Sequence, residues 1–185
     1  MNKIKEQKKK TISLILIGIL VITIVIVVVF YFIFNKNNSP AYKAEEYLEK
    51  YNNLDSEVIN KIEYNFSDKL SKKQFNRYKK IMKKQYKKMF YSVVSEEILE
   101  NEATIKVDVT VINYNNCMNK AIDNVTMLSS TYNTPAKQVD YKLSSLEKCK
   151  DKVTYTIDFC FKKDGIKWVM DELSEADIDK INGVF

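Results

Sequence analysis

Apolar and polar positions along this chain follow three patterns in succession. The first is an unbroken apolar run, since Thr11–Phe34 is 24 residues long and carries no charge. As a helix rising about 1.5 Å per residue, the run would reach about 36 Å and cross the ~30 Å hydrocarbon core of a bilayer. It is apolar on all sides, unlike the one-sided helices of soluble domains. The run therefore predicts a single transmembrane helix.

This helix is predicted to stay in the chain as a signal anchor. A cleaved signal peptide has an apolar region of only about 7–15 residues followed by small residues, whereas this run ends in the bulky FYFIF and contains no cysteine for a lipid. Five lysines precede the run and only Lys36 follows closely, so the positive-inside rule places the N-terminus in the cytoplasm. The predicted divisions are a cytoplasmic tail, an anchor, a linker and a domain outside the membrane: residues 1–10, 11–34, 35–39 and 40–185.

The second pattern, helical spacing, predicts three helices at the start of this domain. Ser39 can cap the first, with Pro40 at its first position, and SEVINKIEYN forms a short second helix. The third opens at the capping box SKKQ and runs to about Met89. Its apolar residues recur every three or four positions and are expected to be buried: Phe75, Tyr78, Met82, Tyr86 and Met89.

The third pattern, strict alternation, predicts two antiparallel hairpins. EATIKVDVTVINY alternates apolar and polar residues, and FYSVVSEEIL before it is the expected partner strand. KVTYTIDFCF alternates in the same way, KKDG turns the chain, and IKWVMDEL returns. Between the hairpins, residues 116–150 are predicted to form an inserted pair of helices, and SEADIDKI a last helix before Gly183. The fold class is α+β, with helices on one face of a curved antiparallel sheet.

This order of elements resembles the nuclear transport factor two-like roll, also called the cystatin-like fold. The ending DGIKWVMDEL is similar to the final Gly-x-x-Trp-x-Val strands of small export-anchored bacterial members. The resemblance covers about residues 40–185, and the helical pair at 116–150 departs from the simplest pattern. It implies a roll with a pocket between sheet and helices, and it carries over no functional residue.

The net charge of the chain belongs mostly to its N-terminal region. The whole chain has 30 basic and 24 acidic residues, and residues 1–39 hold six lysines and one glutamate. The predicted domain therefore has 24 basic and 23 acidic residues, a net charge of about +1. Nucleic acid is not expected as a partner, because no basic excess is left to bind it.

The residue types in the chain exclude most catalytic chemistry. There is no histidine, which removes the commonest general base and metal ligand. No motif for zinc, nucleotide or another cofactor is present. Asp108 and Asp158 occupy the polar phase of their strands, so we expect them to be solvated rather than catalytic. The sequence predicts a protein without enzymatic activity.

A basic run and a cysteine pair are the candidate functional features. Ten Lys or Arg residues lie between Lys69 and Lys88. They form either a solvated helix face or a contact for anionic lipid or an anionic wall polymer, with Lys80, Lys84 and Lys87 as candidates.

Of the three cysteines, Cys117 and Cys149 would meet at the open base of a helical hairpin, whereas Cys160 lies in mid-strand. An exported domain can form this disulfide, although three reduced cysteines are the alternative.

Together these features predict a single-pass, membrane-anchored binding or assembly module of the cell envelope. We expect an envelope protein partner or self-association, and a scaffold role as in secretion or conjugation machines. The alternative is a small-ligand-binding or weakly catalytic pocket of the same fold.

Overall fold

The computed structural model describes residues 18–31, 38–66 and 70–185. Residues 18–31 are helical (α1) with exposed apolar side chains. The predicted tail at 1–10 and both ends of the predicted anchor at 11–34 lie outside the described residues, as does most of the linker at 35–39. Within the described part of the chain, no helix combines the length and the apolar character needed to cross a bilayer.

Three capped or amphipathic helices follow in chain order: α2 (Pro40–Asn53), α3 (Ser56–Phe66) and α4 (Lys72–Lys88). Ser39 caps α2 by accepting a hydrogen bond from Tyr42 N. Ser71 and Gln74 form the predicted capping box of α4, each side chain bonding the backbone N–H of the other. The helical spacing and the start signals therefore placed all three helices correctly.

The four strands form one antiparallel sheet in the order β1-β2-β3-β4. Their bounds are β1 (Phe90–Ile98), β2 (Glu102–Ile112), β3 (Lys152–Asp164) and β4 (Lys167–Met170). A bulge between Val93 and Ser95 interrupts the register of β1 on β2. Both predicted hairpins are present, but β4 ends at Met170 rather than at Leu173.

Three more helices complete the fold: α5 (Tyr114–Met127), α6 (Pro135–Lys148) and α7 (Glu175–Asn182). Thr134 caps α6 as predicted. The first helix of the insertion starts earlier than predicted because Asn113 caps it, with its side chain accepting from Asn116 N. Ser174 caps α7, which ends at Gly183 in the left-handed conformation.

The main core lies between one face of the sheet and helices α2, α4 and α7. Alternate strand residues on that face are completely buried: Ile105, Val107, Val109, Ile157 and Phe159. The opposite face carries polar residues, as the alternation predicts. The described residues thus form an α+β domain with helices covering one side of an antiparallel sheet.

A second, smaller core joins the α5–α6 pair to the rest of the domain. Ile81 of α4 packs there with residues from the end of β2 and from both helices: Ile112, Tyr114, Leu143, Leu146 and Cys149. One predicted core position is less buried than expected, because Phe75 is only half-buried. In this second core the α5–α6 pair packs on α4 rather than on the buried face of the sheet. Helix α4 therefore lies between the two cores.

Candidate functional site

A cleft of about 610 Å³ lies between α4, α5, α6 and α7, and we call it the helical cleft. Its apolar wall includes residues from α4 and α5: Tyr78, Ile81, Met82, Tyr114 and Met118. Glu175, Asp179 and Asn182 of α7 line its polar side. A cleft of this size is within the range of small-molecule sites, about 300–1,000 Å³.

A smaller groove of about 270 Å³ continues from the helical cleft toward α2 and α3. The two share four lining residues: Tyr78, Met82, Ile178 and Asn182. Tyr51, Tyr86 and Lys61 are among those that line only the smaller groove. No strand residue lines either one. The walls of the helical cleft and of the smaller groove are thus formed mainly by helices.

Hydrogen bonds from α4 fix the position of α7 along the cleft. The hydroxyl of Tyr86 donates to Asn182 Oδ1 at 2.8 Å, and Gln85 Nε2 donates to Asn182 O at 3.0 Å. On the opposite wall, the hydroxyl of Tyr114 donates to Ile81 O at 3.1 Å. These bonds satisfy polar groups of the wall and leave the cleft with a defined shape.

The tyrosines of the cleft are neutral at physiological pH. Burial, together with the nearby Asp179 carboxylate, raises the pKa of Tyr78 to about 12. Burial also raises the pKa of Tyr114 and of Tyr86 well above the ordinary value. The other ionisable side chains that line the helical cleft are the acids Glu175 and Asp179, and its lining contains no lysine or arginine.

The predicted lysine candidates do not share one environment. Lys80 and Lys87 are exposed, but Lys84 is half-buried and its Nζ donates to Glu147 O at 2.9 Å, at the C-terminal end of α6. Arg77 also faces α6, and its guanidinium binds Glu147 through two bonds of 2.8 and 3.0 Å and Asp140 at 3.1 Å. Part of the basic run therefore holds α6 on α4, and Lys84 differs from Lys80 and Lys87 in making such a contact.

The structure joins Cys117 to Cys149 by a disulfide, with Cα atoms 6.1 Å apart. Cys117 lies in the first turns of α5 and Cys149 follows the last residue of α6, so the bond closes the base of the α5–α6 pair. Cys160 is a free, exposed cysteine on the polar face of the sheet. The Cα separation lies within the usual range for a disulfide, about 4.4–6.8 Å.

The strand carboxylates lie away from the cleft. Asp108 accepts a hydrogen bond of 2.7 Å from the Thr156 hydroxyl on the polar face of the sheet, and Asp158 is exposed on that face. Across the described ranges, no cluster of three or more cysteine or acidic side chains is arranged to hold a metal ion. Neither aspartate therefore has the desolvated surroundings of a catalytic acid.

Sequence reasoning missed three informative polar residues, Gln85, Glu175 and Asp179. Gln85 sits on the apolar face of α4 between Met82 and Met89, and its place in that spacing could have marked it as a buried amide. Glu175 and Asp179 are four residues apart, which places them on one face of α7. Nothing local in the sequence indicates that this face lines a cleft.

Comparison with known proteins gives one structural neighbour. No protein-family model and no curated protein sequence matches the chain. The crystal structure of a "putative lipoprotein (ycdA)" from Bacillus subtilis subsp. subtilis str. 168 aligns with a TM-score of 0.43 and 16% identity. The alignment covers 68% of this chain and 44% of that one, so this chain spans less than half of the neighbour's length. We therefore infer function from the residues of this chain.

Proposed function

We propose that this chain is a membrane-anchored, non-catalytic binding module of the cell envelope and that the helical cleft is its binding site. The observation that carries the proposal is the cleft of about 610 Å³, with an apolar wall and a few polar groups on one side. Binding sites for small ligands combine these two features.

The space between the sheet and the helices is filled with side chains. This supports binding in the helical cleft over catalysis in a pocket of the roll. Enzymes built on such rolls would need a pocket between sheet and helices, but Ile105, Val107 and Phe159 are completely buried there. The acids of the helical cleft, Glu175 and Asp179, are exposed, so they lack the desolvation that tunes a catalytic carboxyl.

The envelope location rests on the sequence. Thr11–Phe34 carries no charge over 24 residues and follows five lysines, which supports one membrane span with the domain outside. The nuclear transport factor two-like roll and a scaffold role in a secretion or conjugation-type machine are the more specific forms of the proposal. An envelope protein or a second copy of this chain would then be the partner.

The exposed lysines of α4 favour a second contact, with an anionic surface. Lys73, Lys80 and Lys87 are exposed and lie seven residues apart, so they follow one another along the solvent side of α4. Anionic lipid headgroups or a wall polymer would meet them there. This contact would orient the domain and would leave the helical cleft open.

Methionine methyl groups provide a direct test of the binding site. Met82 and Met118 line the helical cleft, whereas Met127 and Met170 do not. We would label the methionine methyl carbons of the full chain in phosphatidylcholine nanodiscs and titrate 4-phenylbutan-1-ol, a neutral probe. Saturable shifts at Met82 and Met118 alone would support the proposal. No shifts, or equal shifts at Met127, would overturn it.

A matched pair of substitutions separates the cleft from general surface effects. Ile178 lines both the cleft and the smaller groove, and Ile166 is exposed in the β3–β4 turn. Ile178→Trp should fill space and weaken probe binding severalfold, whereas Ile166→Trp should leave it unchanged. Equal affinities in the two variants would contradict the assignment of the cleft.

A further inference from the structure

We propose that the helical cleft selects an organic cation, a positively charged nitrogen on a hydrocarbon body. This inference rests on the proposed function, because it names the ligand class of the same cleft. It follows from three observations: the apolar wall, the uncompensated acids of α7, and the placement of the neighbouring lysines.

The wall of the cleft suits a hydrocarbon body. Ile81, Met82, Met118 and Leu146 contribute aliphatic or thioether surface, and Tyr78 adds an aromatic ring. Burial of apolar ligand surface against this wall is favourable because it removes that surface from water. A strongly hydrated ion without such a body would gain little from this wall.

Glu175 and Asp179 set the sign of the charge that the cleft prefers. The two lie one helical turn apart, and both line the cleft. Throughout the described ranges, neither carboxylate has a basic partner within ion-pair distance, and no lysine or arginine lines the cleft. The cleft therefore presents two negative charges that the protein itself does not neutralise.

Two lysines beside the cleft and its smaller groove, Lys180 and Lys61, are paired with other acids. Lys180 on α7 pairs with Asp177 at 2.8 Å and lies over the ring of Phe185. Lys61, in the smaller groove, pairs with Glu57 at 3.1 Å. The exposed Lys73, Lys80 and Lys87 lie on the side of α4 opposite Met82, so they face away from the cleft.

Stabilisation of α7 can account for an acid at Glu175 but not for one at Asp179. Glu175 is in the first turn of α7, where a negative charge favours the helix dipole. Asp179 is beyond that turn and gains little from the dipole. Asp179 and Tyr78 both line the cleft, and the Asp179 carboxylate contributes to raising the pKa of Tyr78. A cation bound beside Asp179 and the ring of Tyr78 would be attracted by both.

Three probes with one body and different head groups test the charge preference: 4-phenylbutylamine, 4-phenylbutan-1-ol and 4-phenylbutyrate. Each is titrated into the full chain in phosphatidylcholine nanodiscs, with empty nanodiscs correcting for partition into lipid. We expect the amine to bind about tenfold more tightly than the alcohol, the carboxylate to bind most weakly, and the preference to shrink at high salt.

Variants that remove the negative charges test whether Glu175 and Asp179 cause the preference for the amine. Glu175→Gln together with Asp179→Asn should reduce amine binding to the level of the alcohol and leave alcohol binding unchanged. Glu97→Gln, which removes an exposed acid on β1, should change neither.

The possible outcomes separate the two proposals. If no probe moves the Met82 and Met118 methyl signals, both proposals fail. If the alcohol or the carboxylate binds as tightly as the amine, the cation preference is wrong and the binding site stands. An amine preference that persists in the double variant also overturns the role of these acids.

Discussion

The side-chain amide of Gln85 exchanges two hydrogen bonds with the backbone of Ile112. Its Oε1 accepts from Ile112 N at 2.9 Å, and its Nε2 donates to Ile112 O at 3.0 Å. The same Nε2 donates to Asn182 O at 3.0 Å, and the side chain is completely buried. One amide thus joins α4 to the end of β2 and to the end of α7, which forms the acidic wall of the cleft.

Gln85→Leu should therefore lower the free energy of unfolding by about 3–5 kcal/mol, because unpaired buried backbone groups cost roughly 1–3 kcal/mol each. Urea denaturation followed by the fluorescence of Trp168, the only tryptophan, measures the loss. Gln138→Leu is the control, since it removes one partly buried bond to Tyr132 O and should cost less than about 1.5 kcal/mol. Equal losses in the two variants would contradict the bridging role of Gln85.

Gly183 and Gly165 form a matched pair for testing how closely α7 approaches β2. Both have positive φ angles, +72° and +59°. A Cβ at Gly183 would overlap Ile112 O and Gln85 Nε2, whereas a Cβ at Gly165 would meet open space. Gly165→Ala should cost only the left-handed strain of about 1–2 kcal/mol. Gly183→Ala should cost clearly more in the same denaturation experiment, and equal costs would refute the close contact.

The elements of this fold could be predicted from the sequence because their signals are local. Ser39, Ser71, Thr134 and Ser174 each stand just before a helix and cap it, and the alternation along β2 and β3 marks the buried face. Contacts between residues that are distant along the chain are not indicated by any local sequence pattern. Gln85 meets Asn182 from 97 positions away, so the sequence could not place α7 beside α4.

The candidate site was less predictable than the fold for the same reason. The pairing of Cys117 with Cys149 could be predicted because two consecutive helices that form a hairpin bring these residues together at its base. The helical cleft instead needs four helices in their packed positions, and its acids on α7 look like ordinary surface residues in the sequence. The role of Lys84 could not be predicted either, because its contact with Glu147 O, which sets it apart from Lys80 and Lys87, is visible only in the structure.

The Arg77–Glu147 pair should make the stability of the domain depend on pH. Hydrogen bonds from the Arg77 guanidinium hold the pKa of Glu147 below its ordinary value. A lowered carboxyl pKa stabilises the folded state above the unfolded value of about 4.3, and that stabilisation is lost as the pH falls through the folded pKa. The stability difference between wild type and Arg77→Gln should therefore be larger at about pH 6 than at about pH 3.

Urea denaturation across this pH range measures the difference. Lys61→Gln is the control, because it breaks an exposed pair with Glu57 that should contribute little. A difference between wild type and Arg77→Gln that does not change with pH would contradict the role of the ion pair.

The disulfide should contribute substantially to the stability of the domain. Cys117 and Cys149 are 32 positions apart, and closing such a loop stabilises a fold by about 3–4 kcal/mol in the chain-entropy model. Replacing both with alanine should cost about that much, and Cys160→Ala, at an exposed free thiol, should cost far less. Non-reducing peptide mapping of the exported chain should recover a linked Cys117–Cys149 peptide. Free thiols at both positions would contradict the crosslink.

The exposed lysines of α4 should bind anionic membranes, and the structure divides the three candidate lysines into two groups. Lys80 and Lys87 are exposed, whereas Lys84 is bonded to Glu147 O. The full chain in phosphatidylcholine nanodiscs should co-sediment with phosphatidylglycerol vesicles at low salt. This binding should weaken steeply as salt rises, because exposed charges are screened over about 10 Å at 0.1 M.

Substitutions then assign that binding to one face of α4. Lys80→Gln with Lys87→Gln should abolish sedimentation without changing the denaturation midpoint. Lys84→Gln should instead lower stability slightly, because it removes a contact between α4 and α6. Lys106→Gln with Lys162→Gln, on the polar face of the sheet, removes the same charge elsewhere and should leave binding intact. If this control pair weakens binding as much as the α4 pair does, the attraction comes from overall charge, and the exposed side of α4 is only a solvated surface.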